Sequence, residues 1–169
     1  MATFQGVERT NYVQFRPEMM ELLTAYCGAF DIALVERDRR HAIMPRDPDV
    51  FVSTIDGDDV TERLYELLRS HGQLEEAGLP LADSITDLDV EDELELELEL
   101  DFSLVATWME PGEVLVVESA GHEKLRYVSA FAAAYNHKGD EVAIDLNDIY
   151  AKAAESFGVN VNSISQAAY

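Results

Sequence analysis

The sequence predicts an α+β fold: a mixed or antiparallel sheet of several short strands, about four helices, and an acidic strand near the middle of the chain. Segments with the strand period of two and segments with a helical period are both present, and Gly, Pro, Asn and Asp separate them. The length of 169 residues and the apolar fraction of 47% are typical of a globular protein. We expect one compact unit with a β-α-β lobe at 1–72, an acidic connection and strand at 73–101, and an α-β-β-β-α lobe at 102–169.

In the first half of the chain, a proline and two glycines mark the ends of two helices. Pro17 suits the first helical position, where a missing N–H costs no hydrogen bond. Gly28 and Gly72 suit the left-handed position that follows a helix. The pattern predicts, in order, a strand at 10–15, a helix at 17–28, strands at 30–36, 41–44 and 50–55, and a helix at about 59–72 whose inner face holds Val60, Leu64, Leu67 and Leu68.

In the second half, the elements are shorter and Trp108 is the largest candidate core residue. The pattern predicts a short helix at 101–109, a turn at Pro111 and Gly112, strands at 113–118, 124–135 and 141–146, and a turn at 136–139. The apolar run in the first of these strands is typical of a strand buried on both faces. A last helix at 147–157 is expected to end at Gly158 and to direct inward Ile149, Tyr150, Ala153, Ala154 and Phe157.

The segment 91–102 reads EDELELELELDF, and from Glu93 onward carboxylates and apolar residues alternate. In a strand, one face would be apolar and the other would carry a row of carboxylates roughly 6.6–6.8 Å apart. A helix is the alternative, because Glu and Leu are both good helix formers, and it would scatter the carboxylates around its axis. Alternation over ten residues favours the strand.

The charge is concentrated in the same part of the chain. The net charge is −22, from 34 acidic and 12 basic residues, and 16 Asp and Glu lie between Ser70 and Glu123, where Lys and Arg are absent. A field of this sign repels nucleic acid and anionic membranes and attracts basic protein surfaces. Three arginines, Arg37, Arg39 and Arg40, could form a small nucleic-acid-binding patch, but we expect them to pair with the chain's own acids.

The sequence contains one cysteine, Cys27, which excludes an internal disulfide and fits a small residue in a helix core. No run of 18 apolar residues occurs, and the first residues lack the basic-then-apolar pattern of a signal peptide. We therefore expect the protein to be cytoplasmic.

No cofactor, metal ligand or catalytic residue is predicted. The four histidines lack ligand spacing, and Asp56, Asp58 and Asp59 resemble a calcium loop that lacks its Gly and its final Glu. Phosphate loops and nucleophile elbows are missing from the sequence. A glycosidase needs two carboxyl groups in different environments within a cleft, and a solvated row does not supply them. We expect a protein that is not an enzyme.

The segment Gly121 to Ala153 resembles the C-terminal signature of small proteins carried by phages and other mobile genetic elements. The pattern is G-x-E-K-L-R-Y, N-x-x-G and L-x-D-I-Y, and it is met by Gly121, Glu123, Lys124, Leu125, Arg126, Tyr127, Asn136, Gly139, Leu146, Asp148, Ile149 and Tyr150. The opening Arg9 to Tyr12 is also similar. The resemblance implies a phage setting, and hence the host-cell cytoplasm, but no particular activity. In its acidic character the chain resembles DNA-mimic anti-defence proteins of the anti-CRISPR and anti-restriction kinds.

The resulting hypothesis is an inhibitor that binds a nucleic-acid-handling complex, such as a CRISPR effector or a restriction enzyme, by presenting carboxylates in place of phosphates. Its expected partner is a basic nucleic-acid-binding surface of a protein or ribonucleoprotein complex, and nucleic acid itself and membranes are not expected partners. The candidate partner-binding residues are Asp87, Asp89, Glu91, Asp92, Glu93, Glu95, Glu97, Glu99 and Asp101.

Two alternatives stay open at this point. One is a salt-adapted or merely very soluble acidic domain, which predicts acids spread over the whole surface. The other is an unrecognised enzyme. The sequence also leaves the oligomeric state open, a homodimer included. Because aligned carboxylates disfavour each other's ionisation, we expect the fold to be more stable in moderate salt or mild acid than at low ionic strength and neutral pH.

Overall fold

A computed structural model describes residues 4–45, 54–56, 62–75, 77, 95–97, 100–123, 127–163 and 165. It confirms the α+β class. The described helices are α1 (Met20–Ala29), α2 (Glu62–Ser70), α3 (Phe102–Ala106) and α4 (Asp148–Phe157), with 3-10 turns at Pro17–Met19 and Val161–Ser163. The strands are β1 (Phe4–Thr10), β2 (Ile32–Arg37), β3 (Arg40–Pro45), β4 (Thr54–Asp56), β5 (Glu95–Glu97), β6 (Val114–Glu123), β7 (Tyr127–Asn136) and β8 (Glu141–Asp145).

The main sheet joins the two ends of the chain. Its four antiparallel strands have the order β1-β6-β7-β8. Strand β1 pairs with β6 from Phe4 opposite Glu123 to Thr10 opposite Val117. Segments predicted as separate N-terminal and C-terminal lobes therefore share one sheet.

The hairpin of β2 and β3 packs beside this sheet. Asp38 and Arg39 connect its strands with φ angles of 53° and 64°. Two positive φ values are the requirement of the tight hairpin turn whose twist matches that of the strands. The hydroxyl of Thr10 accepts the N–H of Ile43 at 2.7 Å and thereby links β1 to the hairpin.

The core lies between helices α1, α2 and α3, the hairpin and one face of the main sheet. Trp108 and Tyr26 are fully buried, and their rings meet edge to face with centroids 5.3 Å apart. The inner face predicted for α2 is confirmed for Leu64, Leu67 and Leu68, all of which are buried. Cys27 is a free, buried cysteine, as the sequence predicts.

The first predicted strand, at 10–15, is wrong in its position. Strand β1 ends at Thr10, and the following residues make only isolated bridges, Val13 to His41 and Phe15 to Met109. Val13 and Phe15 are buried, so their alternation reflects contact with the core and not membership of a continuous ladder.

The predicted stop of the first helix at Gly28 is also wrong. Helix α1 runs through Gly28 to Ala29, and the residue with positive φ is Asp31, at 48°. Burial of Leu22, Leu23 and Tyr26 on this helix outweighs the cost of roughly 1 kcal/mol for an interior glycine.

The last helix ends at Gly158 as predicted, with φ of 65°, but the predicted inward face is wrong. Helix α4 has no buried residue, and Phe157 is 77% exposed. The helix follows β8, an edge strand of the main sheet, and its apolar side chains do not reach the core.

Candidate partner-binding surface

The centre of the acidic segment is a β-strand. Glu95–Glu97 pairs antiparallel with Thr54–Asp56, with Leu96 opposite Ile55. The prediction of a strand in place of a helix is therefore confirmed for these three residues. Glu95 and Glu97 occupy alternate positions of the strand, and alternate positions lie on one face.

Six of the nine candidate residues lie outside the described residues, namely Asp87, Asp89, Glu91, Asp92, Glu93 and Glu99. Glu95 and Glu97 are described through their backbone and pairing. Asp101 is the one candidate whose side chain has described contacts.

Asp101 is the N-cap of α3. Its Oδ1 accepts the backbone N–H of Ser103 at 2.8 Å and of Leu104 at 3.1 Å, and also the hydroxyl of Ser103 at 2.7 Å. An N-cap carboxylate satisfies N–H groups that have no acceptor within the helix and interacts favourably with the helix dipole. By its position in the sequence Asp101 is the predicted last member of the carboxylate row, whereas these contacts give it a structural role.

The chain returns to the core immediately before Asp101. Leu100 is buried, and the backbone N–H of Asp101 lies 3.5 Å from the hydroxyl of the buried Tyr26. Leu100, the last leucine of the alternating segment, is therefore packed in the core. Of the other leucines in the segment, Leu94 and Leu98 lie outside the described residues.

The register adds one acidic residue, Asp56, that is not among the nine candidate partner-binding residues. Asp56 lies directly opposite Glu95 in the β4–β5 pair. Like charges at directly opposed positions destabilise a strand pair, so a fold keeps them where another requirement outweighs this cost. Strand pairing between residues forty positions apart leaves no signal in local sequence, which is why Asp56 was missed.

Several described arginines pair with carboxylates of the same chain. Arg40 binds Glu113 through two hydrogen bonds, at 2.7 and 3.1 Å, and Arg9 binds Glu118 at 2.8 Å. Arg63 pairs with both Glu21 and Glu66. The expectation that Arg40 pairs with the chain's own acids is confirmed, while Arg37 lies 3.9 Å from Asp38 in a largely exposed, weak pair.

The buried titratable groups belong to the core. Burial raises the pKa of the Cys27 thiol to about 12, and burial also raises the pKa of Tyr26 above its ordinary value. A thiol with such a pKa stays protonated at neutral pH and is a poor nucleophile. Within the described ranges, His, Cys, Asp and Glu form no group of three or more that could hold a metal ion.

Comparison of the chain with protein-family models, curated proteins and solved structures finds no match. Among the helices in the described part of the chain, none is long and apolar enough to cross a membrane.

Proposed function

We propose that this protein is an inhibitor that binds the basic, nucleic-acid-binding surface of a larger complex through its acidic strand. The observation that carries the proposal is the extended strand at Glu95–Glu97 in the middle of a base-free acidic segment. Extended backbone repeats its same-face positions every 6.6–6.8 Å or so. Nucleic acid likewise presents its phosphates as a regular row of negative charges.

Charge supports the same conclusion. The described arginines that pair with acids, such as Arg40 and Arg63, are held by acids outside the segment 73–101. Their guanidinium groups are thus occupied by Glu113, Glu21 and Glu66, and none of the ion pairs among the described residues joins an arginine to an acid of the segment 73–101. Lys and Arg of a phosphate-binding groove supply such cations, with strong charge-assisted hydrogen bonds to carboxylates.

The strand is also held at its C-terminal side. Strand β4 pairs with it, and Leu100 and the N-cap Asp101 fix the chain that follows. A surface that is ordered before binding loses less conformational entropy when it binds. The field of a chain with net charge −22 accelerates association with a basic target, and salt weakens this effect. Host defence complexes such as CRISPR effectors and restriction enzymes have grooves of the required kind.

The test uses two variants with the same change of net charge. In the row variant, Glu93, Glu95, Glu97 and Glu99 are changed to Gln. In the control variant, four exposed acids outside the segment 73–101, Glu18, Glu36, Glu141 and Glu155, are changed to Gln. Each protein is immobilised and incubated with lysate of the host cell, and bound complexes are challenged with double-stranded DNA.

We expect the wild type and the control variant to recover the same nucleic-acid-binding complex, DNA to release it, and the row variant to recover at least tenfold less. Equal recovery by all three proteins would place the binding site elsewhere. Equal loss in both variants would show that net charge and not the strand determines binding, as a salt-adapted surface predicts. Recovery of no complex by the wild type would contradict the proposal.

A further inference from the structure

One face of the main sheet is apolar and uncovered. Opposed residues of an antiparallel sheet share a face, so Val116, Ala134 and Val142 form one row and Ala132 and Ile144 belong to the next. Leu146 continues this face, because its N–H donates to Ala130 opposite. We call this surface the open face: Val116, Ala130, Ala132, Ala134, Val142, Ile144 and Leu146.

The open face lacks the polar pattern of a solvated sheet. Val142 is 67% exposed, Ile144 51% and Leu146 48%. Its described charged residues, Arg9 and Glu118, neutralise each other in an ion pair. Strands with apolar residues on both faces are typical of sheets that are covered on both sides. The opposite face of the sheet is covered by the core, where Leu115, Val117 and Ala133 are buried.

Helix α4 carries a second uncovered apolar surface. Ile149, Ala153 and Phe157 are spaced at i, i+4 and i+8 and therefore form one stripe. Ile149 is 61% exposed and Phe157 77%. An amphipathic helix in a globular protein normally directs such a stripe at a core.

The two surfaces match in size and shape. A ten-residue helix is about 15 Å long. Four strands span three inter-strand gaps, or about 14–15 Å. The middle of the stripe and the exposed side of β7 are both alanine, which permits close approach. A depression of about 300 Å³, lined in part by Ala120, Ala130 and Ile144, offers space for a protruding side chain such as that of Phe157.

We propose that a second copy of this chain covers the open face, with α4 of each copy packed across the sheet of the other. Within one copy both surfaces remain exposed, although only Leu146 and Asn147 separate β8 from α4. A two-fold axis buries both surfaces in both copies and leaves none free for further growth. This inference does not depend on the proposed function.

The uncovered area is sufficient for a stable dimer. Val7, Val114, Val142, Ile144, Leu146, Ile149 and Phe157 are each between 47% and 77% exposed. Together they offer on the order of 500 Å² of apolar surface per copy. A standard interface buries about 800 Å² per partner, and homodimer interfaces are about 65% apolar.

Salt distinguishes this contact from binding of a basic target. Two chains of charge −22 repel each other, while the ion pair of Arg9 with Glu118 leaves the described charged residues of the open face without net charge. Salt screens the long-range repulsion and leaves apolar burial intact. Dimerisation should therefore strengthen with salt, whereas target binding should weaken.

The experiment is sedimentation velocity on the full chain at about 50 μM in 50 and 500 mM NaCl, with three variants. Phe157→Gln changes the stripe, Ile144→Thr changes the open face while keeping a β-branched residue, and Glu155→Gln changes the opposite side of α4. We expect a dimer of twice 18.9 kDa for the wild type, favoured by 500 mM NaCl, and the same for Glu155→Gln. Phe157→Gln and Ile144→Thr should each weaken dimerisation at least tenfold.

A monomeric wild type at both salt concentrations would overturn the inference, as would a Phe157→Gln dimer of unchanged affinity. A loss confined to Phe157→Gln would overturn the packing of helix on sheet, since Ile144 would then lie outside the interface. Both residues are exposed in one copy, so near-ultraviolet circular dichroism of each variant should match that of the wild type.

Discussion

At the scale of single residues, the buried indole N–H of Trp108 depends on one hydrogen-bond acceptor, the side chain of Gln73. The indole N–H of the fully buried Trp108 donates to Oε1 of Gln73 at 2.6 Å, and Nε2 of Gln73 lies 3.3 Å from the hydroxyl of Thr107. Gln73, three residues after the end of α2, thus satisfies the indole N–H of the largest side chain of the core.

Gln73→Ala is expected to lower the free energy of unfolding by about 1–3 kcal/mol, because the buried indole N–H would lose its acceptor. Urea denaturation followed by the fluorescence of Trp108, the single tryptophan, measures this change. Gln14→Ala, at an exposed glutamine, is the matched control and should change stability by less than about 0.5 kcal/mol. Equal effects of the two substitutions would contradict the role assigned to Gln73.

Cys27 gives the fold a dependence on alkaline pH. Burial raises its pKa from 9.0 to about 12, so the unfolded chain releases the thiol proton at lower pH than the folded chain. The stabilisation is fully present below pH 9 and is lost as the pH rises toward 12, by about 1.4 kcal/mol per pH unit.

Cys27→Ala should remove this part of the slope between pH 9 and 11, while the raised pKa of Tyr26 still contributes in both proteins. Denaturation curves at several pH values measure the difference in slope, which is separate from the constant cost of the smaller side chain. Parallel pH profiles of the two proteins would show that the thiol ionises equally in both states.

At the scale of elements, Asp101 shows how one residue can belong to two patterns. By parity it is the last member of the acidic row, and by hydrogen bonding it is the cap of α3. Asn is also a good N-cap and carries no charge, so substitution can separate the two roles.

Asp101→Ala is expected to lower the free energy of unfolding by about 0.5–2 kcal/mol, and Asp101→Asn by a few tenths. Thermal or urea denaturation measures both values. If Asp101 also contacts the target, Asp101→Asn should weaken target binding while leaving stability nearly unchanged. Equal destabilisation by Ala and Asn would show that charge, and not the hydrogen bonds to Ser103 and Leu104, stabilises this helix end.

Local sequence patterns predicted most of the helices and strands. The features that they did not predict depend on pairing between strands that are distant in sequence. The turn at Gly139, the left-handed Gly158 and the inner face of α2 were predictable because each depends on neighbouring residues. The pairing of β1 with β6 and of β4 with β5 was not, since those partners lie far apart in sequence. The apolar run in β6 predicted a strand buried on both faces, and this was wrong for one face: Leu115 and Val117 are buried, whereas Val114 is 47% exposed.

For the candidate site too, local sequence patterns predicted the strand but not its pairing partner. Alternation alone indicated the strand at Glu95–Glu97. Asp56 could not be added without the register, and the capping role of Asp101 became visible only once the end of the strand was known. The inward face expected for α4 was wrong because helical periodicity identifies an apolar stripe without identifying what covers it.

At the scale of the whole molecule, repulsion among the acids opposes folding. From about 10 mM to 150 mM NaCl the Debye length falls from about 30 to about 8 Å, which screens this repulsion. The thermal midpoint of the dilute Phe157→Gln variant, in which dimerisation does not contribute, should rise by several degrees. For a chain of this size about 1 kcal/mol corresponds to 2–4 °C.

Differential scanning fluorimetry over this range, with the control and row variants alongside, measures the effect. The row variant should show a smaller rise than the control variant of equal charge, because the proposed row places its charges at alternate positions of one strand. A midpoint that does not change with NaCl would show that the carboxylates are well separated and that no row exists.

The free edge of strand β8 also affects whether copies of the protein can polymerise into fibres. The free edge of a sheet is a template on which further strands can add without limit. Here the N–H of Asp145 is already occupied by Oδ2 of Asp148 at 2.7 Å, and the five-residue strand carries an acid at each end, Glu141 and Asp145. Two such edges in antiparallel register would oppose like charges. We therefore expect concentrated solutions of this protein to resist edge-to-edge polymerisation through β8, and we expect Asp148→Ala to remove part of that protection.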